Sequence, residues 1–225
     1  MGTRLRPLTN SIPKALVPAA GRPFLEWKLE QLKANGVDNV VLCVGYLGSM
    51  IKSHFGDGSG FGLNIGYSED GKELLGPIGA VKNCEHLLHQ GFFVTYGDNY
   101  LRLDYAEMMA RLSESGKLGV MAVYHNKGAH GTSDVEVTNG FVTAFKKGTK
   151  NKFEWINFGI YALRKEALSF VPAGRPCDEQ GFFDQLIRKE QLLAYEATER
   201  FYEIGSIEAL REFESFISKE EKRQR

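Results

Sequence analysis

Apolar and polar positions along the chain change their period several times, and each change marks an element. Phe24, Leu25, Leu29 and Leu32 recur at helical spacing. Pro23 stands before them, where its fixed φ and missing N–H suit a first turn, and Gly36 follows as a stop. The run Asn39-Val-Val-Leu-Cys-Val44 is apolar throughout, the pattern of a strand buried on both faces. The alternation then repeats. It predicts a helix over 47–55, a strand over 63–68, a helix over 78–89, a buried strand over 92–96, a helix over 104–115 and a strand over 118–124. Strands alternating with helices imply βαβ units and a mainly parallel sheet covered on both faces.

Beyond residue 130 the texture changes. Asn139-Gly140 is flanked by alternating apolar residues over 135–145, a strong hairpin signal. A strand over 156–163, a helix over 179–189 and short strands near 193–197 and 201–204 follow. Ser206 caps a last helix with Ile207, Leu210, Phe213 and Ile217 along one face. Asp104 reads as the cap of the helix it precedes rather than as a ligand. No repeat, low-complexity tract or linker interrupts the pattern. The fold class expected is α/β: one domain with a mainly parallel mixed sheet, helices on both faces and an inserted β-hairpin region.

Composition narrows the functions. The 225 residues carry 28 basic and 28 acidic side chains, so the balanced charge gives no reason to expect a nucleic acid or an anionic membrane as partner. No apolar run reaches the ~18 residues of a membrane span, and no signal-peptide pattern opens the chain. Arg6 stands where a myristoylation motif wants Ser or Thr. Cys43 and Cys84 fall in apolar or helical patterns and are expected as buried thiols, with Cys177 in an exposed loop. Reduced cysteines and the absence of targeting signals point to a cytoplasmic protein.

The opening stretch has no periodicity but concentrates phosphate-binding chemistry. Gly2-Thr3-Arg4-Leu-Arg6-Pro-Leu-Thr is followed by Ile12-Pro-Lys14-Ala-Leu-Val-Pro18. Glycine lets backbone N–H groups approach a phosphate, Arg offers a planar fork and Lys a point charge. Pro7, Pro13 and Pro18 would hold the segment in a defined path. A solvated basic loop and a phosphate loop both satisfy this chemistry. The order of residues resembles the signature of the sugar-1-phosphate nucleotidyltransferases, which runs Gly-Gly-x-Gly-Thr-Arg-Leu-x-Pro-Leu-Thr, then Pro-Lys-x-Leu-x-Pro. The resemblance implies a Rossmann-like domain in which Gly2 and Thr3 bind nucleotide, Arg4 contacts the triphosphate and Lys14 neutralises the reacting phosphate. In the family a buried strand and two further glycines precede the signature. Here Met1 takes the signature's variable position, so a misassigned start and a true truncation are both open.

Gly97-Asp98 ends the predicted strand over 92–96, and ligands gather at the carboxyl ends of strands in open α/β sheets. By itself such a pair reads equally as a turn or a cap. Beside the signature it resembles the family's metal-binding Gly-Asp, which makes Asp98 a Mg²⁺ ligand, since that ion takes hard oxygens. Glu203 stands where the family's second metal carboxylate is normally an Asp. Gly76 and Gly79, in Leu75-Gly-Pro-Ile-Gly79, resemble the family's nucleoside-facing loop, with Pro77 and Ile78 replacing smaller residues. Lys147 matches the lysine of the family's Glu-Lys-Pro element and would anchor the acceptor phosphate, although Lys146 replaces the Glu. Ile156-Asn157-Phe-Gly159-Ile-Tyr161 resembles the family's sugar-binding strand, with Asn157 at sugar hydroxyls and Gly159 leaving room for the ring.

The resemblance implies transfer of a nucleotidyl group from a nucleoside triphosphate to a sugar 1-phosphate, with pyrophosphate released, for envelope or polysaccharide precursors. Residues 1–130 would form mainly the nucleotide half, 131–205 mainly the sugar-phosphate half, and 206–225 a C-terminal helix. The partners implied are those two substrates, with a homo-oligomer left open. A non-catalytic nucleotide-sugar binder is the rival reading. A metal-dependent glycosyltransferase is disfavoured because Asp98-Asn-Tyr lacks the Asp-x-Asp pattern. The nucleobase and the sugar are not legible.

Overall fold

The computed structural model describes residues 5, 7–71, 74–127, 132–148 and 153–223. Its elements, in chain order, begin with β1 (Pro18–Ala19), β2 (Arg22–Pro23), α1 (Phe24–Ala34), β3 (Asn39–Val44), α2 (Gly48–Phe55), β4 (Asn64–Glu69), α3 (Gly76–Asn83) and β5 (Gly91–Thr95). After these come β6 (Asn99–Tyr100), α4 (Tyr105–Ser115), β7 (Gly119–His125), β8 (Val135–Thr138) and β9 (Phe141–Phe145). The chain closes with β10 (Trp155–Arg164), α5 (Glu179–Arg188), β11 (Leu192–Glu196), β12 (Tyr202–Glu203) and α6 (Ile207–Arg223). The α/β class and nearly every expected element are present. The residues fall into two compact units, one of Met1–Tyr67, Tyr96–Arg102 and Phe201–Arg225, the other of Ser68–Thr95 and Leu103–Arg200.

In the first unit α1 is central. Pro23 precedes it and Gly36, at φ +79°, closes it, with Val37 N–H returning to Leu32 O at 3.0 Å. Phe24 packs with Tyr100, Ile204, Leu210, Phe213 and Ile217, which seats α6 against α1, β6 and β12. Leu25 and Leu29, on the same helix, meet Phe55, Leu63 and Ile65. Two polar side chains share the buried face of α1, Lys28 and Gln31, and both reach the chain at 99–101. There β6 pairs antiparallel with β12, placing Glu203 opposite Asn99.

β3 pairs with β4 in a separate two-stranded sheet, so Cys43 is exposed rather than buried. An apolar run reads as doubly covered, but a strand with one partner strand among the described residues keeps an open side.

The second unit carries a six-stranded sheet in the order β5-β10-β7-β11-β9-β8. Its pairing corrects the mainly parallel arrangement expected. Among the described strands of this sheet only β7 and β11 run parallel, while β10 lies antiparallel to both β5 and β7, and β9 to β11. The hairpin explains this: β10 follows β8 and β9 rather than a crossover helix, so it can return antiparallel. Asn139 and Gly140 turn that hairpin at φ +51° and +79°. Met121, Val123, Tyr161 and Leu163 face α3 and α5 through Ile78, Val81, Phe182, Phe183 and Leu186. Their alternates Val120, Ala122, Ile160 and Ala162 are buried too, so both faces are covered.

Candidate active site

Two groups of polar side chains stand out, one in each unit. The first starts from Lys14, fixed by a single tight turn. Pro13 at φ −65°, ψ 147° enters it, Leu16 N–H bonds to Pro13 O at 2.9 Å and Val17 N–H to Lys14 O at 3.1 Å. Lys14 Nζ donates to Asp98 Oδ2 at 2.6 Å. Asp98 lies just before β6, where its carbonyl accepts from Ile204 N–H at 3.1 Å. Ile204 directly follows Glu203, so Asp98 and Glu203 enter from paired strands held by backbone bonds. The neighbouring Gly97 has no positive φ, and a Cβ there would meet none of the described residues within 4 Å. Neither packing nor backbone conformation demands a glycine at that point; open space beside Asp98 is what it leaves.

Beneath them, Lys28 Nζ donates to Asn99 O at 2.8 Å and to Asn99 Oδ1 at 2.7 Å. Lys28 is only 2% exposed and Asn99 6%. Burial pushes the Lys28 ammonium down to about 7, against the opposing pull of the Asp98 charge.

The second group gathers where β10 is bulged. Its register against β7 slips between Asn157 and Tyr161, with Gly159 at φ +67°. Asn157 Oδ1 accepts from Gly159 N–H at 2.8 Å, its backbone N–H donates to Asp134 Oδ1 at 2.8 Å, and its Nδ2 donates to Tyr161 Oη at 2.7 Å. Tyr161 Oη in turn donates to Glu179 Oε1 at 2.7 Å, and Lys147 Nζ donates to Glu179 Oε2. Six residues from β8, β9, β10 and α5, or their ends, thus form one network. Burial dominates its electrostatics: Glu179 is pushed up to about 7 and Asp134 to about 6, while the Lys147 ammonium is lowered. The Tyr161 hydroxyl is raised as well.

Of the residues singled out in the sequence, Lys14 and Asp98 fall in the first group, Glu203 joins it only through the backbone pairing with Asn99, and Lys147, Asn157 and Gly159 fall in the second. Gly2, Thr3 and Arg4 lie outside the described residues. Gly76 and Gly79 stand apart from both networks, and each has a packing reason to be glycine. Gly76 sits at φ +72°, where a Cβ would lie 2.8 Å from Cys177 O; one on Gly79 would lie 3.0 Å from Arg175 O. Sequence reasoning passed over Asp134, Tyr161, Glu179, Lys28 and Asn99. Glu179 looks like an ordinary first-turn acid after the capping Asp178, and Tyr161 like one more apolar strand position. Lys28 alone left a signal, a charge on the buried stripe of α1.

Among the described residues no group of three or more His, Cys, Asp or Glu side chains could hold a metal ion. Two carboxylates completed by phosphate oxygens are nevertheless a usual set for Mg²⁺, which keeps much of its shell for substrate and water. Asp98 and Glu203 have the donor chemistry such an ion takes, and Asp98 is paired here with Lys14. No helix among the described residues is long and apolar enough to cross a membrane.

The nucleotidyl transferase family model matches residues 1–220. The chain belongs to that family. Among curated members of the family, it is 30% identical over 205 residues to the D-glycero-alpha-D-manno-heptose 1-phosphate guanylyltransferase of Campylobacter jejuni, covering 91% of this chain and 90% of that one. It is 29% identical over 208 residues to a UTP–glucose-1-phosphate uridylyltransferase of Synechocystis, covering 83% of this chain but 53% of the relative. The chain thus spans about half of that longer nucleotidyl transferase. HddC from Yersinia pseudotuberculosis has the same fold, with a TM-score of 0.79 at 23% identity over 96% of this chain and 95% of that one.

Proposed function

We propose that the protein transfers a nucleotidyl group from a nucleoside triphosphate to a sugar 1-phosphate. An oxygen of the sugar phosphate attacks the α-phosphorus, the bond from that phosphorus to the bridging oxygen breaks, and pyrophosphate departs with the electron pair. The nucleophile is already anionic, so no general base is needed. Catalysis then consists of positioning and charge stabilisation.

The Lys14–Asp98 pair carries this reading. It joins the Pro-Lys of the N-terminal signature to the Gly-Asp of the strand end, a cation for the reacting phosphate beside a carboxylate for its counter-ion. Asp98 and Glu203 would hold Mg²⁺, whose chemistry is to neutralise the phosphate charge that accumulates on the leaving group. With such an ion held by Asp98 and Glu203, Lys14 would be available to neutralise the α-phosphate. The open space at Gly97 supports close approach of a phosphate to that backbone. Arg4, Gly2 and Thr3 contribute to triphosphate binding in the same reading.

Lys147 anchors the acceptor phosphate, and Asn157 meets the sugar hydroxyls over the bulge at Gly159. Glu179 and Tyr161 keep Lys147 and Asn157 oriented before the acceptor arrives. Gly76 and Gly79 keep the first turn of α3 close to the 175–177 segment, and through it serve the nucleoside. The guanylyl and uridylyl names among the relatives leave the base to be found by assay. A cytoplasmic role in making precursors of surface polysaccharide accords with the reaction. A pyrophosphate-release screen of four nucleoside triphosphates against a panel of sugar 1-phosphates tests the proposal. Release that depends on both substrates supports it; calorimetric binding of a nucleotide sugar without any release would make the protein a binder instead.

A further inference from the structure

We propose that Lys28 is a positioning residue of the metal site, holding Asn99 and through it the stretch of backbone that carries Asp98 and faces Glu203. The inference rests on the reading of Asp98 and Glu203 as ligands of such an ion.

A lysine on the buried stripe of a helix is costly to keep. Leu or Met would fill the space of Lys28 without desolvating an ammonium, and would suit a helix packed between two apolar clusters. What the ammonium does instead is specific. Two of its bonds, 2.8 and 2.7 Å, go to the carbonyl and the side-chain oxygen of one described residue, Asn99. Both sides of Asn99 matter to the site. Asp98 precedes it in the chain, and Glu203 opposes it in the β6–β12 ladder. That ladder is only two residues long on each strand, Asn99–Tyr100 against Tyr202–Glu203, and has little stiffness of its own. Gln31, one turn along α1, donates to Leu101 O and extends the clamp past Tyr100. A rigid helix therefore grips a short ladder by its backbone, at the residue between the two carboxylates.

Partners that orient ligands without touching the metal commonly matter by ten- to a hundredfold in affinity. Lys28 is not a catalytic residue here; it acts through Asn99.

The test is Mn²⁺ binding, followed by electron paramagnetic resonance on the intact protein with the metal alone, in Lys28→Met beside the parent and Asp98→Ala. Lys28→Met is expected to weaken Mn²⁺ by about tenfold. In turnover, the Mg²⁺ concentration for half-maximal rate should rise by a similar factor while the KM for sugar 1-phosphate stays put. A general loss of packing would lower the rate without that split, and added metal would not restore it. Should Lys28→Met fail to fold, Asn99→Ala, which keeps the carbonyl bond and loses the other, is expected to weaken Mn²⁺ by a smaller factor. A parent that binds Mn²⁺ through Asp98, with variants that bind equally well, would overturn the role of Lys28 alone. A parent whose Mn²⁺ binding is absent, or is indifferent to Asp98→Ala, would overturn the metal reading and this inference with it.

Discussion

Lys14 donates from Nζ to Oδ2 of Asp98 across 2.6 Å, joining residues 84 positions apart. The side chains are 22% and 39% exposed, so water screens the pair and its worth to folding is small, about 0–1 kcal/mol. Its value lies in chemistry. Lys14→Met should leave the urea midpoint nearly unchanged and lower the rate of pyrophosphate release by at least ~100-fold. A variant that unfolds easily but turns over normally would assign the pair to stability instead.

Lys147 stands at the acceptor end. Removing a charged donor to phosphate costs about 1.5–3 kcal/mol, roughly ten- to a hundredfold in affinity. Lys147→Met should therefore raise the KM for sugar 1-phosphate by at least tenfold and leave the KM for the triphosphate within about twofold. Steady-state kinetics with each substrate varied in turn decides it.

Three glycines separate packing from function. Gly76→Ala puts a Cβ 2.8 Å from Cys177 O at φ +72°, and should cost about 1–3 kcal/mol in denaturant unfolding. Gly79→Ala, at 3.0 Å from Arg175 O, should cost less. Gly97→Ala meets none of the described residues within 4 Å and should change stability by less than ~0.5 kcal/mol, yet reduce turnover if phosphate approaches there. Full activity in Gly97→Ala would remove that glycine from the site.

Stability should vary with pH in two opposed limbs. The Glu179 carboxyl ordinarily titrates at 4.5 and in the fold at about 7; Asp134 moves from 3.8 to about 6. Between those values the native state holds more protons than the unfolded chain, so stability is greatest on the acid side and falls as pH rises towards 7. Lys28 moves the other way, from 10.5 down to about 7, so the native state holds fewer protons there and stability rises with pH above 7. Urea unfolding from pH 5 to 9 should flatten below 7 in Glu179→Gln and above 7 in Lys28→Met. Unchanged slopes in both variants would contradict the burial of these charges.

Much of the fold was legible because its signals are local. Asn139-Gly140 turned where positive φ is cheap, Asp104 capped α4 through Glu107 N–H at 2.8 Å, and Gly36 closed α1. Sheet pairing was not local. The apolar run of β3 reads as interior, yet Cys43 is exposed, and the direction of β10 depended on the hairpin before it rather than on its own residues. Lys14, Asp98, Lys147 and Asn157 could be named from ordered motifs. Glu179 and Asp134 could not, since a carboxylate at a helix start or beside a strand is common, and only burial sets these two apart. Lys28 was passed over although a charge on an apolar helix stripe is a signal, and its partner 71 positions away left none.

The most direct test is pyrophosphate release that requires a sugar 1-phosphate, measured for the parent and for Asp98→Ala under saturating Mg²⁺. The account predicts release by the parent and a rate at least ~100-fold lower in the variant, with binding of a nucleotide sugar retained. Equal rates in the two proteins would contradict it.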